Sequence, residues 1–251
     1  MKYLLTAGLL TSSLFAQPTL KLSTSEIKPE TRYELVFDQA VVSKDKLNLA
    51  QENKHLKISP PLSGALVWTA RNVAQFQPSK APKLGTKYRF STSRGLTHLD
   101  GSKVPVIKLA EKSTPHLRSD YHRRYSKGNN RKPLSYLRFN DDVSAEKLSK
   151  KFYYINKAGV AAPATVRQAR WSDLESSYYV KPSWAQRFDN VLKKRKGLPI
   201  STDTEWEQNS PITNGVIVSP SHLLSVGEDW TLVAKKGIPN TSTSAKTKDE
   251  S

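Results

Sequence analysis

One spacing rule occurs twice in this sequence, at positions 142 residues apart. The residues that define it are Pro78, Gly85, Tyr88 and Gly95 in the first copy, and Pro220, Gly227, Trp230 and Gly237 in the second. A shorter piece recurs upstream of each, as Phe37-Asp38-x-x-Val41 and Phe139-Asn140-x-x-Val143. A repeat of this length predicts two copies of one small fold, and a duplicated module is typical of a scaffold or binding protein rather than an enzyme.

The repeated positions have a structural interpretation. The proline ends a strand, and the first glycine allows the positive φ of a tight turn. The aromatic residue begins an inward-facing strand, and the second glycine turns the chain where that strand ends. Each position is thus explained by turn and strand structure and none by a reaction, so the repeat predicts a fold.

Each copy also has the strand pattern of an antiparallel β-sandwich. Polar and apolar residues alternate at residues 33–37 and 87–92, and turn signals separate the short strands. Trp68 and Trp230 fall on strands and are expected in the core. The sequence therefore predicts an all-β chain of two tandem antiparallel β-sandwich domains.

The expected division of the chain follows from the repeat and from composition. It consists of a signal peptide at residues 1–16, a first domain at 17–115, a basic linker at 116–132, a second domain at 133–240 and a disordered tail at 241–251. The tail is assigned by its Ser, Thr and Lys content and its lack of apolar periodicity.

Two finer predictions concern the domain interiors. The second domain carries an insertion at 171–215, in which Ser183 is expected to cap a helix over residues 184–196. The last strand of the first domain is expected at 104–109, where Pro105 indicates the edge of a sheet.

The N-terminus points to export, and the absence of cysteine favours a bacterial envelope over a eukaryotic secretory route. Residues 1–16 have a positive start, an apolar stretch and a small residue for cleavage at Ala16, although a buried N-terminal strand or helix is an alternative. No other apolar run has the ~20 residues of a transmembrane helix. With no cysteine, disulfides and thiol chemistry are excluded, which favours a bacterial periplasm, cell envelope or extracellular location.

The chain is strongly basic, with 40 Lys and Arg against 22 Asp and Glu and a net charge of +18. The candidate polyanion contacts are Arg118, Arg123, Arg124, Lys127, Arg131 and Lys132 in the linker, and Lys193, Lys194, Arg195 and Lys196 in the insertion. Such clusters attract anionic polymers or lipid headgroups, although a charge run is also a common solvated surface. Nucleic acid is not an expected partner of an exported protein.

Aromatic residues cluster in the insertion. The candidate aromatic interface consists of Tyr178, Tyr179, Trp184 and Trp206. Exposed aromatic rings bind sugars or other proteins, whereas the alternative is that they pack the insertion onto its own sheet.

The sequence contains no recognisable catalytic, cofactor or metal motif. The five histidines are scattered, without the spacing of a metal site. Asp141-Asp142 has oxygen ligands suited to calcium, but a turn after a strand is the preferred interpretation. We therefore expect no cofactor and no enzymatic activity.

The motifs of the first copy resemble the S-layer-type bacterial Ig-like domain. The resemblance rests on Phe37-Asp38-x-x-Val41, Ile58-Ser59-Pro60-x-Leu62-x-Gly64, Trp68, Phe76-x-Pro78, Leu84-Gly85-Thr86-x-Tyr88 and Gly95-Leu96-x-x-Leu99-Asp100-Gly101. It covers nearly all of the first domain and the two ends of the second. The resemblance implies that both sandwiches are Ig-like or macroglobulin-like.

More narrowly, the arrangement resembles the N-terminal region of bacterial alpha-2-macroglobulin proteins. That family traps proteases, often through a thioester built from Cys and Gln, and this chain has no Cys. The resemblance implies an exported, non-catalytic segment of such a protein, with other domains of a longer chain, envelope proteins or proteases as partners. The alternative is a cell-surface adhesion or S-layer-associated scaffold that binds anionic envelope polymers or glycans. A third interpretation, an enzyme with its site in the insertion, also remains open.

Overall fold

The computed structural model describes residues 17–125, 132–174, 180–200 and 209–249. The predicted signal peptide lies outside these residues. In the first copy the strands are β1 Thr19–Leu22, β2 Tyr33–Val36, β3 Ala50–Glu52, β4 Leu56–Ser59, β5 Gly64–Ala70, β6 Val73–Pro78, β7 Lys87–Thr92 and β8 Lys108–Ser113. In the second they are β9 Ser119–Tyr125, β10 Leu134–Phe139, β11 Phe152–Asn156, β12 Ala161–Arg170, β13 Pro211–Pro220 and β14 Trp230–Ala234.

The strands form antiparallel sheets with the orders β1-β2-β6-β5-β3, β4-β7-β8 and β14-β11-β12-β13-β10-β9. Short helices interrupt them: α1 at Ala145–Leu148, α2 at Trp184–Arg195, and 3-10 turns at Lys44–Lys46 and Trp171–Asp173. The all-β, sandwich-like architecture expected from the alternating pattern is confirmed. No helix in the described part of the chain is long and apolar enough to cross a membrane.

Contacts divide the chain into two compact units whose limits differ from a simple cut after residue 115. Of the described residues, the first unit contains 17–23, Arg32–Gln77 and Arg89–Ala110. The second contains Thr24–Thr31, Pro78–Tyr88 and the described residues from Glu111 onward. Two segments of the first copy thus belong to the unit that holds the second copy.

The pairing register shows that the repeat is structural. In β2 and β6, Tyr33 pairs with Phe76, and in β10 and β13, Ser135 pairs with Val218. The first member of each pair moves by 102 residues between the copies and the second by 142. Since a slip of one residue would turn each side chain to the opposite face, an unchanged register indicates one shared core pattern.

A second strand pair repeats in the same way. Leu56 pairs with Thr92 across β4 and β7, and Phe152 pairs with Ala234 across β11 and β14. Thr92 and Ala234 are again 142 residues apart. Strand β14 is therefore the counterpart of β7, and β11 that of β4.

An asparagine that is not among the repeat positions described above also recurs after 142 residues. Asn72 donates from Nδ2 to the carbonyl of Phe37 at 2.9 Å, and Asn214 donates to the carbonyl of Phe139 at 3.0 Å. Each amide satisfies a backbone acceptor at the point where the chain leaves β2 or β10. The 142-residue spacing of the two asparagines was a signal that could have identified them.

The repeat glycines adopt the conformation that the spacing predicts. Gly85, Gly95, Gly227 and Gly237 have φ values of +65°, +76°, +81° and +77°. Pro78 and Pro220 each end a strand, and Tyr88 and Trp230 lie on the strand that follows. The interpretation of the repeat as turn and strand signals is confirmed.

Substitution of the paired glycines should separate backbone strain from crowding. Gly227→Ala is expected to lower the free energy of unfolding by about 1 to 2 kcal/mol, because alanine is strained at positive φ. Gly85→Ala should lower it further, since the added Cβ would lie 2.8 Å from His116 Nδ1. Urea unfolding of both variants measures this difference.

The control is Gly85→Ala combined with His116→Ala, measured against His116→Ala alone. Without the imidazole, Gly85→Ala should lower the free energy of unfolding by the same amount as Gly227→Ala does. If Gly85→Ala still lowers the free energy of unfolding more than Gly227→Ala does, crowding by His116 is not the cause of the difference.

The predicted basic linker at 116–132 is wrong for its central part, which forms β9. His122 of β9 pairs with Leu137 as Leu20 of β1 pairs with Leu35, again 102 residues apart. The second copy thus begins at Ser119 and not near residue 133. Charged side chains are common on edge strands, where they discourage unwanted pairing, and here they hide the strand's alternation.

The predicted disordered tail is also wrong for residues 241–249, which fold back onto the second unit. Thr241 N donates to Asp142 O at 2.8 Å, as Leu99 N donates to Ala40 O at 2.9 Å in the first copy. Thr243 has a φ of 58° at the position equivalent to Gly101. Backbone hydrogen bonds and side-chain bonds of Ser242, Ser244 and Thr247 order this segment, and neither kind requires apolar periodicity.

Two element boundaries differ from those that the sequence predicts. The last strand of the first copy is at Lys108–Ser113 instead of 104–109, since Val104 N instead bonds to Leu96 O at 2.9 Å. The predicted insertion at 171–215 is shorter, because β13 begins at Pro211. Within it the helix is confirmed: Ser183 and Gln186 form a capping box at the start of α2.

Candidate functional site

Helix α2 is fixed to its own unit by its first two turns. Trp184 is only 4% exposed, and its Nε1 donates to the carbonyl of Pro82 at 2.9 Å. Phe188 is buried one turn later. Arg187 forms a bidentate ion pair with Glu30, with N to O distances of 2.7 and 2.8 Å. The N-terminal half of α2 therefore holds segments 24–31 and 78–88 within the second unit.

The predicted aromatic interface is not supported at Trp184. Its indole is buried in the core cluster of the second unit, so the alternative that it packs the insertion onto its own sheet is correct for this residue. Tyr178, Tyr179 and Trp206 lie outside the described residues. Trp68 is fully buried on β5, as expected for a core position. Trp230 on β14 is only half-buried and packs against the core cluster of the second unit.

The C-terminal half of α2 carries the second basic cluster to the surface. Lys193 pairs with Asp189 at 2.8 Å, while Lys194, Arg195 and Lys196 are exposed at the end of the helix. The negative end of the helix dipole favours cations at this position. Lys194 and Lys181 also line a hollow of about 440 Å³ beside α2, which we call the helix hollow.

The first basic cluster follows β9. Arg118 and Arg124 are exposed and Arg123 is half-buried, while Lys132 is exposed just before β10. Lys127 and Arg131 lie outside the described residues. The basic side chains are thus attached to a strand of the sheet and not to a free linker.

A groove of about 690 Å³ lies between the two end strands of the second unit's six-stranded sheet. Residues 119–122 of β9 line one side of it, and Leu232 and Ala234 of β14 line the other. We call it the edge groove. Leu117 and Leu137 make its lining partly apolar. The polar part of the lining has both charges, with Arg118 and Lys248 as cations and Glu26, Asp120 and Asp249 as carboxylates.

Polar contacts order one wall of the edge groove. Asp120 accepts a hydrogen bond from Arg138 Nε at 2.9 Å, and the Arg138 guanidinium lies 5.3 Å from the centre of the Tyr121 ring. Partial desolvation lowers the pKa of His122, which favours its neutral form. The groove therefore offers a partly apolar surface with fixed polar groups, an arrangement suited to binding.

The sequence did not reveal the edge groove, because two of its walls were misassigned. The composition of residues 119–122 predicts a linker, and that of Lys248 and Asp249 predicts a disordered tail. The 102-residue spacing between β1 and β9 is a signal for the first of these walls, but the charged residues of β9 conceal it.

Asp141 has the structural role that the turn interpretation expects. Its carboxylate accepts hydrogen bonds from Asn240 Nδ2 at 3.0 Å and from Ala185 N at 3.4 Å. Burial raises the pKa of Asp141. Within the described residues, no group of three His, Asp or Glu side chains is placed to hold a metal ion.

Two histidines have packing roles in the first unit. The His55 ring meets Trp68 edge to face at 5.0 Å between centroids, and burial lowers the pKa of His55. His98 Nε2 lies 3.2 Å from Asp38 Oδ1, and its Nδ1 lies 2.8 Å from Ser102 Oγ. These contacts join the Asp100-Gly101 turn to the end of β2.

Neither comparison with known proteins finds a relative: no protein-family model and no curated protein sequence matches this chain.

Proposed function

We propose that this chain is an exported, non-catalytic pair of Ig-like copies that acts as a scaffold, as in the N-terminal region of an alpha-2-macroglobulin-like protein. The observation that carries the proposal is the repeated register of β2–β6 and β10–β13. Tandem copies of one sandwich are a common way to build extended binding proteins.

The motif positions support this proposal. Pro78, Gly85, Pro220 and Gly227 occupy strand ends and positive-φ turns, so the residues on which the Ig-like resemblance rests act through the fold. Because the chain has no Cys, it cannot itself form a thioester with Gln. Any contribution to protease trapping would come from domain packing and contact with other polypeptides.

The direct test is to sequence the coding DNA beyond Ser251. The macroglobulin proposal expects the reading frame to continue into further sandwich modules, a bait segment and a Cys- and Gln-containing thioester motif. A stop codon followed by an unrelated gene would contradict it.

A second candidate function is contact with anionic envelope polymers through the C-terminal end of α2. The observation that favours it is the exposure of Lys194, Arg195 and Lys196 together at one helix end, beside the helix hollow. Phosphate-rich polymers bind such clusters by releasing counterions, which makes the affinity depend on salt.

The test measures binding of purified poly(glycerol phosphate) at several salt concentrations. Replacing Lys194, Arg195 and Lys196 by Ala should reduce the slope of log affinity against log salt by roughly two to three, one unit or slightly less for each lost contact. The matched control replaces three exposed lysines of the first unit, Lys44, Lys57 and Lys103, by Ala. If this control weakens binding equally, net charge is responsible and the helix end is not the site.

A further inference from the structure

One side of helix α2 forms a wall of the helix hollow. Four of the lining residues follow the spacing i, i+3, i+4 and i+7, which places them on one side of the helix: Arg187, Asn190, Val191 and Lys194. At 1.5 Å per residue, this wall extends about 10 Å along the helix axis. The hollow therefore follows α2 for about two turns and is more than a surface at its C-terminal end.

The hollow belongs to the second unit alone. Glu30 lies in the segment Thr24–Thr31, and the other lining residues lie between 181 and 200. Lys181 and Pro182 precede the helix, and Ile200 follows it. A ligand in the hollow would thus contact both flanks of α2 as well as the helix itself.

The lining has three cations and one carboxylate. Both oxygens of Glu30 accept hydrogen bonds from the Arg187 guanidinium, at 2.7 to 2.9 Å. This pair neutralises the Arg187 charge. Among the described residues, no carboxylate pairs with Lys181 or Lys194. These two lysines therefore give the hollow a positive charge that a bound anion can neutralise.

The residue types in the lining favour phosphate groups joined by carbon units. The fork of an Arg guanidinium binds carboxylates bidentately, and Glu30 already occupies the fork of Arg187. The lysines are point charges, which bind phosphate oxygens without a fixed orientation. Pro182, Val191 and Ile200 add apolar surface on which carbon units can pack.

We propose that the helix hollow binds a polyol phosphate chain that lies along α2. Two of its phosphate groups contact Lys181 and Lys194, and the carbon units between phosphates pack on Val191. Glu30 holds the Arg187 guanidinium, so that this third cation does not contribute to binding. The inference rests on the second candidate function, contact with anionic polymers, and assigns the surface and the chemistry of the polymer.

The test measures binding of poly(glycerol phosphate) to the full chain by isothermal titration calorimetry at several salt concentrations. Lys181→Ala should reduce the slope of log affinity against log salt by roughly 0.7 to 0.9, which is about a five- to eightfold loss of affinity at about 0.1 M salt. The matched control is Lys150→Ala, an exposed lysine of the second unit that does not line the hollow. Because its charge acts only through screened solvent, it should change the affinity by less than about twofold.

Loss of the Glu30 charge should have the opposite effect. Glu30→Gln releases the Arg187 guanidinium to the polymer, so the slope should increase by roughly 0.7 to 0.9 and the affinity about five- to eightfold at about 0.1 M salt. Glu146→Gln removes the same charge at an exposed position outside the hollow and should raise the affinity by less than about twofold. Each variant and its control have the same net charge, so only the position of the charge distinguishes them. If Glu30→Gln does not fold, the lysine pair still decides.

The outcomes separate this inference from the function on which it rests. If the wild-type chain does not bind poly(glycerol phosphate) at any salt concentration, both are rejected. If binding depends on salt but Lys181→Ala and Lys150→Ala weaken it equally, the polymer function stands and the hollow is not its site. If poly-L-glutamate of equal length binds the wild-type chain as tightly, the hollow does not select phosphate groups and the proposal is overturned.

Discussion

Trp184→Ala is expected to lower the free energy of unfolding of the second unit by about 3 to 5 kcal/mol, the range for removing a buried Trp side chain. The indole is 4% exposed and packs in the same core cluster as Phe139 and Val216. Its loss would leave a cavity at the first turn of α2 and would remove the donor to the Pro82 carbonyl. Urea unfolding, monitored by circular dichroism, measures the effect.

Two controls locate its origin. Trp184→Phe keeps an aromatic ring but removes the N–H, so it should cost about 1 to 3 kcal/mol for the unpaired buried carbonyl of Pro82. Val226→Ala, at a residue that is 77% exposed, should change stability by no more than about 0.5 kcal/mol. A Trp184→Ala midpoint equal to that of Val226→Ala would mean that α2 does not depend on this anchor.

Phe139→Ala and its repeat equivalent Phe37→Ala should each cost about 3 to 5 kcal/mol in the unit that contains them. Both rings are 1% exposed, and both carbonyls accept a bond from an asparagine amide. Phe37 also stacks on Trp68, with centroids 5.9 Å apart. The equivalence of the copies predicts losses of similar size at the two positions.

Residue-level hydrogen exchange distinguishes which unit is weakened. Phe37→Ala should accelerate exchange in β2 and β6, and Phe139→Ala should accelerate it in β10 and β13. Each variant is the control for the other. Phe37→Ala should leave exchange in β10 and β13 unchanged, and Phe139→Ala should leave exchange in β2 and β6 unchanged. If both variants accelerate exchange in the same strands, the division into two separately stabilised units is incorrect.

The sequence predicted features that depend on neighbouring residues. The capping box at Ser183 and Gln186, the turns at Gly85 and Gly227, and the strand at residues 87–92 all appear as expected. Each depends on backbone preferences or side-chain bonds within a few residues, which are encoded where they act.

The predictions of a linker and of a disordered tail are wrong for a different reason. Residues 119–125 were assigned to a linker because β9 is basic, and its strand character depends on pairing with β10. Residues 241–249 were assigned to a disordered tail, yet Thr241 bonds to Asp142 about a hundred residues earlier. In both cases part of the order comes from bonds between backbone groups that are distant in the sequence, and such groups leave no trace in composition.

The repeat that determines the fold was visible in the sequence alone, since glycine at positive φ and proline at a strand end are local requirements. What the tertiary structure decided is which strands form the edges of the sheet. Leu232 and Ala234 look like ordinary core residues in the sequence, and only the folding of β9 opposite β14 places them on the edge groove. Which strands lie at the edge of a sheet, and which side chains are buried, depends on contacts between residues about a hundred positions apart. Both are therefore properties of the folded chain.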